Sequence, residues 1–194
     1  RSLCDWSSDV CSSDLTAITR TSAGSGYASF PTPAVSAPTT AGGVQATATV
    51  QQMFVSGVTI QSGGTGYTVN DTLTVSGGTP ATSAATLTVT SVSGGVVTGV
   101  SVLAGNSYTA LPANPVNVTG GTGSGATFNL TYGVSAGFTI TNAGSGYVEQ
   151  PTVSFSGGGG SGAAAYATVG STTVFRSLAD NLSFQTAEIG RAHV

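Results

Sequence analysis

Lysine is absent from the 194-residue chain, and charged residues make up only 6% of it, against about 25% in an ordinary soluble domain. With a formal net charge of −3, a broad phosphate-binding surface is excluded, so we expect no nucleic-acid partner. No run of about 18 apolar residues occurs, so we expect no membrane insertion. Glycine is abundant, with 29 residues, beside many Thr, Ser, Ala and Val. This composition is typical of extended, β-rich extracellular proteins.

Cysteine, tryptophan and histidine occur only near the two ends, as Cys4, Trp6, Cys11 and His193. Written back into codons, residues 5–15 resemble a short-read sequencing adapter, and residues 188–194 resemble the same adapter in the other orientation. We therefore interpret 1–15 and 188–194 as adapter-derived artefacts and assign them no function. The segment between them has no Cys, His, Trp or Lys. Thiol chemistry and a Ser–His triad are thereby excluded from it.

The middle of the chain repeats with a period of about forty residues. A glycine-containing motif that ends in tyrosine occurs four times, at tyrosine spacings of 40, 41 and 39 residues. A short segment of alternating apolar and polar residues precedes the motif. A second such segment, a glycine cluster and a longer alternating segment follow it. The four copies are SAGSGY ending at Tyr27, SGGTGY at Tyr67, LAGNSY at Tyr108 and NAGSGY at Tyr147.

These alternations have the period of two that indicates β-strands, and Thr and Val suit a pleated surface. Glycine clusters between them supply turns. The sequence therefore predicts an all-β fold. We expect a tandem array of four three-stranded β repeats, stacked as a solenoid or fibre, with a β-propeller-like or β-prism arrangement as the alternative. The predicted array spans 16–170, divided at 16–56, 57–96, 97–136 and 137–170, and 171–187 is interpreted as the start of a further, truncated β domain.

One unit of this size cannot bury a core alone. Alanine-rich strand faces bury little area per residue, at about 25 cal/mol per Å². Self-association, as a homotrimer, would bury more apolar area and cover strand edges that no lysine protects.

The glycine motifs indicate turns rather than phosphate loops, because a Walker loop needs a lysine. Calcium-binding repeats carry an aspartate in every copy, whereas Asp71 occurs in one copy only. A weak ion site near Asn70 and Asp71 is one interpretation, and a turn in which the side chains bond the backbone is the favoured one. Glycoside hydrolysis needs two neighbouring carboxyl groups, and Asp71 and Glu149 occupy different places in separate units. We expect no catalytic, cofactor-binding or metal-binding residue, no cofactor and no enzymatic activity.

The recurrent tyrosines are the best candidates for a role beyond the scaffold. An exposed ring can stack on a sugar, whereas a buried ring would pack between units with its hydroxyl reaching a neighbouring turn. Packing is the favoured interpretation. The residues concerned are Tyr27, Tyr67, Tyr108 and Tyr147.

Three longer stretches carry a family resemblance, which covers about Ala23 to Phe184. They resemble repeats of bacteriophage virion proteins, notably tail fibres and other appendages. The stretches are SGGTGYTVNDTLTVSGGTPATSAATLTVTSVSGGVVTGVSV, AGNSYTALPANPVNVTGGTGSGATFNLTYGV and NAGSGYVEQPTVSFSGGGGSGAAAYATV. The third motif departs from this pattern, with Ser107 in place of the second glycine. The resemblance implies a structural, non-enzymatic part of the virion, extracellular, acting as a spacer or as a contact to a host cell-surface glycan. A bacterial surface adhesin module is the alternative, followed by a fragment of a β-helical enzyme that acts on polysaccharide.

Overall fold

The predicted all-β class is confirmed. A computed structural model describes residues 14–103 and 106–170, and within these ranges the chain forms fourteen strands and no helix. The strands are β1 (Leu15–Ser25), β2 (Thr32–Val35), β3 (Thr47–Val50), β4 (Met53–Thr65), β5 (Thr72–Val75), β6 (Thr79–Pro80), β7 (Thr86–Ser93), β8 (Val96–Val102), β9 (Ser107–Ala110), β10 (Val116–Thr119), β11 (Ser124–Val134), β12 (Phe138–Asn142), β13 (Thr152–Ser156) and β14 (Ser161–Val169).

Each unit of the sequence repeat contributes three main strands. A lead strand runs into the tyrosine motif, a middle strand follows the motif, and a closing strand follows the glycine cluster. The lead strands are β1, β4, β8 and β12, the middle strands β2, β5, β10 and β13, and the closing strands β3, β7, β11 and β14. We number the units 1 to 4 in chain order; β4 begins at Met53, ahead of the predicted boundary at residue 57.

The strands form two antiparallel sheets that share one order. The six-stranded sheet runs β1-β14-β13-β2-β3-β12 and the eight-stranded sheet β6-β9-β4-β11-β10-β5-β7-β8. Apart from β6 and β9, both read lead, closing, middle, middle, closing, lead. Units 1 and 4 build the first sheet, and units 2 and 3 build the second. In each sheet, the lead strand of one unit pairs with the closing strand of the other.

Linear stacking of consecutive units is therefore not confirmed. Hydrogen-bonded partners are nested along the chain, with units 2 and 3 as the inner pair and units 1 and 4 as the outer pair. The propeller alternative is not confirmed either, because a blade is a sheet of its own, whereas here two units interleave in each sheet. The sequence period reveals the repeating unit. It does not reveal which units pair, because the backbone hydrogen bonds of a lead strand can be satisfied equally well by the closing strand of any unit.

Both sheets curl, which brings β1 close to β12 in the six-stranded sheet and β4 close to β8 in the eight-stranded sheet. In the six-stranded sheet the Leu15 amide donates to the Ala143 carbonyl at 2.9 Å, and in the eight-stranded sheet the Tyr67 amide donates to the Gly95 carbonyl at 2.9 Å. Unpaired edges invite association with other chains, and natural proteins cover or charge them. Curling protects part of these edges within one chain. The predicted homotrimer stays a prediction.

The two sheets have cores of different character. The larger cluster lies mainly in the eight-stranded sheet and contains Phe128, Leu130 and Leu87, all fully buried. A smaller cluster in the six-stranded sheet is built largely from Val and Ala side chains, with Leu15, Ile18 and Tyr147 as its largest buried members. The sheets meet at a short antiparallel bridge, where the Tyr27 amide donates to the Tyr132 carbonyl at 3.1 Å and the Tyr132 amide returns a bond at 2.8 Å.

Several residues of the sequence argument lie outside the described ranges. They are Cys4, Trp6, Cys11 and His193, the predicted further domain at 171–187, and Gly105 of the third motif.

Candidate functional site

The four motif tyrosines are all buried. Their exposed fractions are 2% for Tyr27, 3% for Tyr67, 0% for Tyr108 and 2% for Tyr147. The structure does not gather them into one site, since the first three belong to the larger core cluster and Tyr147 belongs to the smaller one. Rings with so little exposure do not offer a face to a sugar from solution. The packing interpretation fits this placement, and the exposed-rim interpretation does not.

Two of the hydroxyls make the same contact in the two sheets. The amide of Ala85 donates to Tyr108 Oη at 2.7 Å, and the amide of Ala46 donates to Tyr147 Oη at 2.8 Å. Both alanines directly precede a closing strand of the other unit in the sheet. Tyr147 Oη also donates to the Ser36 carbonyl at 3.1 Å. Each of these hydroxyls therefore supplies a buried backbone amide with its acceptor, which links one unit to another.

Tyr132 escaped the sequence argument because it lies in a closing strand rather than in a motif. Its ring meets the Tyr108 ring edge-on, with centroids 6.5 Å apart and planes at 77°. Tyr132 Oη is buried and has no hydrogen-bond partner among the described residues. Burial, with a smaller contribution from Tyr108, raises the pKa of Tyr132 well above its ordinary value, so its hydroxyl stays protonated at any physiological pH.

Asp71 ties the tyrosine turn of unit 2 to the glycine cluster of unit 3. Asp71 Oδ2 accepts from the Thr68 amide at 2.9 Å, the Thr122 amide at 3.1 Å and Thr122 Oγ1 at 2.7 Å, while Thr68 Oγ1 donates to Oδ1 at 3.2 Å. A cation site needs oxygen acceptors around the ion, whereas these neighbours are donors. Within residues 14–103 and 106–170 no cluster of potential metal ligands occurs. The arrangement fits the turn interpretation rather than the ion site.

These donors lower the pKa of Asp71 to about 2, from an ordinary 3.8, with the Thr68 amide as the largest cause and the Thr122 amide as the next. Since the folded pKa lies below the unfolded one, the resulting stability is present above about pH 4 and is lost as the pH falls towards 2. An acid this strong is also a poor general base at neutral pH. Asp71 therefore stabilises the fold and is ill suited to the catalytic role that the enzyme alternative would need.

We expect Asp71→Asn to destabilise the protein at pH 7, because the amide nitrogen would face the donors of Thr68 and Thr122. The loss should shrink as the pH falls from 4 to 2, where wild-type Asp71 itself becomes protonated. Thermal unfolding of both proteins across this range measures it. Glu149→Gln is the matched control, since it removes the same charge from an exposed side chain. A difference between Asp71→Asn and wild type that is constant from pH 7 to pH 2 would contradict this account.

A groove of approximately 690 Å³ lies where the two sheets meet. Arg20 of β1 lines it from the six-stranded sheet. Phe54 and Ser56 of β4, Ser107 of β9, and Ser135 after β11 line it from the eight-stranded sheet and its border. None of the described residues that line it carries a carboxylate. This groove, which combines Arg20 with serine hydroxyls and apolar side chains, is the candidate functional site.

Arg20 extends from β1 of the six-stranded sheet, and its side chain is held by two residues of the eight-stranded sheet. Its Nη1 donates to the Val134 carbonyl at 2.6 Å, and its guanidinium carbon lies 5.8 Å from the centre of the Phe54 ring. The second contact is a cation–π interaction, worth about 0.5–2 kcal/mol. Arg20 is the only cationic side chain in the part of the chain that the structure describes. Sequence reasoning did not select it, although Arg at a position where units 2 and 4 carry Ile and unit 3 carries Ser is a visible departure from the repeat.

Comparison of the chain with protein-family models, with curated proteins and with solved structures gave no match. Among the described residues, no helix is long and apolar enough to cross a membrane.

Proposed function

We propose that this chain is a non-enzymatic segment of a phage tail fibre or related virion appendage, and that it contacts the host cell surface. The close approach of the first and last residues that the structure describes, Asp14 and Gly170, supports contact over a spacer role. Leu15 pairs with Val169, and the Gly170 amide donates to the Asp14 carbonyl at 2.9 Å. The chain thus enters and leaves the folded body at one point. A body attached in this way adds little length to a fibre and is presented at its side.

The outer face of the six-stranded sheet suits a glycan partner. Exposed threonine hydroxyls line it, and those of Thr47 and Thr141 lie 2.7 Å apart. Tyr166 is 48% exposed and stands in register between Thr19 and Thr152. Hydroxyls can exchange hydrogen bonds with sugar hydroxyls, and an exposed aromatic ring can cover the apolar face of a sugar. The cell-surface partner that the repeat resemblance implies is therefore chemically compatible with this face.

We also propose that copies of the chain associate as a homotrimer and align along a fibre, since the nested pairing within one chain leaves fibre assembly to contacts between chains. Sedimentation equilibrium should give three times the monomer mass. A stable, folded monomer at micromolar concentration would overturn this part of the proposal.

The surface-contact proposal predicts selective binding to bacterial cells. The fluorescently labelled chain should be retained by some strains of a diverse panel, and mild periodate treatment, which oxidises surface sugars, should abolish retention. Unfolded chain is the matched control for non-specific adhesion. Absence of retention on every strain, or release of soluble sugar from capsular polysaccharide, would contradict a non-enzymatic contact role. Longer DNA sequence around the reading frame separates the phage and adhesin alternatives, through neighbouring morphogenesis genes or secretion and sorting signals.

A further inference from the structure

We propose that the groove between the two sheets binds the carboxylate of an acidic sugar through Arg20. This inference rests on the proposed surface-contact function and adds to the outer sheet face a second contact, in the groove, which would select the class of sugar. Three observations carry it: the departure of Arg20 from the repeat, the way in which Arg20 is held, and the chemistry of the groove around it.

Arg20 occupies a position that no other unit fills with a charged residue. It lies seven residues before Tyr27, and the same offset before Tyr67, Tyr108 and Tyr147 gives Ile60, Ser101 and Ile140. Both isoleucines are half-buried on lead strands. Units 2 and 4 therefore fold with a β-branched apolar side chain at this place, which is what a pleated surface favours, and unit 3 folds with a small polar one. The repeat architecture does not require an arginine there, so its presence in unit 1 calls for a separate explanation.

The contacts of Arg20 fix the guanidinium without neutralising it. A guanidinium carries five N–H donors, and one donor bond to a described protein acceptor, the Val134 carbonyl, is formed. The Phe54 ring lies beside it, and the groove lining described by the structure contains no carboxylate. A half-buried cation in such surroundings is pre-organised for an external anion, because its conformational freedom is already restricted.

The groove around Arg20 favours a single carboxylate on a sugar ring. The guanidinium fork matches a carboxylate with two parallel hydrogen bonds. Hydroxyls of Ser56, Ser107 and Ser135 are available for sugar hydroxyls, and the volume of approximately 690 Å³ falls within the usual range of small-ligand pockets, about 300–1,000 Å³. A polyphosphate or nucleic acid would need several cations, whereas Arg20 is alone in the described part of the chain.

Titration calorimetry with three probes tests the inference: sodium trigalacturonate, sodium glucuronate and N-acetylneuraminate. At least one should bind wild-type protein in 50 mM salt and bind more weakly in 500 mM salt. The methyl ester of the same sugar, which keeps the ring and loses the charge, should bind about tenfold more weakly or not at all.

Variants of Arg20 separate the effect of the bidentate guanidinium geometry from the effect of its positive charge. Arg20→Lys keeps the charge and should weaken binding about tenfold because the bidentate geometry is lost, and Arg20→Met should abolish it. Glu149→Gln changes net charge away from the groove and should leave binding unchanged. If Arg20→Met fails to fold, the comparison of acid with ester on wild-type protein still decides the question.

Three outcomes would overturn the inference. The first is that none of the acidic sugars binds, and the second is that acid and ester bind equally. The third is that sodium acetate or phosphate binds as tightly as the sugar, which would make the groove a simple anion site. Should the labelled chain still adhere to cells in a periodate-sensitive way, the surface-contact function would stand and only the acidic-sugar assignment would fall. Loss of both would remove the proposed function itself.

Discussion

Replacing Tyr108 with alanine should lower the free energy of unfolding by about 3–5 kcal/mol, the range for deleting a large buried aromatic side chain. Tyr108 is 0% exposed, packs edge-on against Tyr132 and accepts the Ala85 amide. Total stabilities are about 5–15 kcal/mol, so this variant would unfold at a temperature lower by roughly 10 °C or more. Thermal and urea unfolding followed by circular dichroism measure the effect.

Two hydroxyl deletions divide this effect into packing and hydrogen bonding. Tyr108→Phe keeps the ring but leaves the buried Ala85 amide without its acceptor, at a cost of about 1–3 kcal/mol. Tyr132→Phe is the matched control, since the hydroxyl it removes is buried and has no partner among the described residues. It should change stability by less than about 0.5 kcal/mol or stabilise slightly. If Tyr108→Ala instead unfolds at the same temperature and urea concentration as the wild type but no longer adheres to cells, the ring serves recognition rather than packing.

The second large effect is expected at the third residue of the tyrosine motif. Gly64→Ala should destabilise the protein by about 3–5 kcal/mol, at the upper end of single substitutions. Gly64 has φ +60°, and a Cβ there would collide with the Ser124 carbonyl oxygen and the Ala126 amide nitrogen of β11. These are backbone atoms of the partner strand, so the clash cannot be relieved by a side-chain rotation.

Gly94→Ala provides the matched control for Gly64→Ala. Gly94 has φ +58°, and nothing lies within 4 Å of the Cβ that would be added. This variant carries only the left-handed backbone penalty, about 1–2 kcal/mol. The difference between the two variants therefore reports the close approach of lead and closing strands. Equal losses would show that backbone conformation alone explains the motif glycine.

The same approach recurs in other units, which explains why the motif repeats in the sequence. A Cβ added at Gly24 would collide with the Ala163 amide and the Ser161 carbonyl. A Cβ added at Gly144 would collide with the Val44 carbonyl and the Ala46 amide. In each case the glycine of one unit lies against the closing segment of the other unit in the sheet. The motif therefore marks the positions at which the backbones of two paired units are in close contact.

The sequence predicted the strand content because alternation, β-branched residues and glycine turns are local signals. The burial of Tyr108 and Tyr147 fits the packing interpretation, because a tyrosine that recurs in every unit occupies the same place in each interlocked pair. Local signals could not predict the nested pairing, because the backbone of β4 could form the same hydrogen bonds with any closing strand as it forms with β11. The groove was also missed. Its residues come from strands that are distant in sequence, among them β1, β4 and β9, and only the meeting of the two sheets brings Arg20 to Phe54.

The nested order of the units also sets the order in which the protein can be assembled during synthesis. Units 2 and 3 complete their sheet once β11 has left the ribosome, whereas Leu15 must wait for Val169. The entropic cost of closing such a long loop is only slightly larger than that of closing a shorter one, but pairing strands so distant in sequence slows folding. Throughout this delay β1 is an open edge, and β14 of a neighbouring chain offers it the same register. Refolding at high concentration should therefore yield strand-exchanged dimers, and dilution should suppress them.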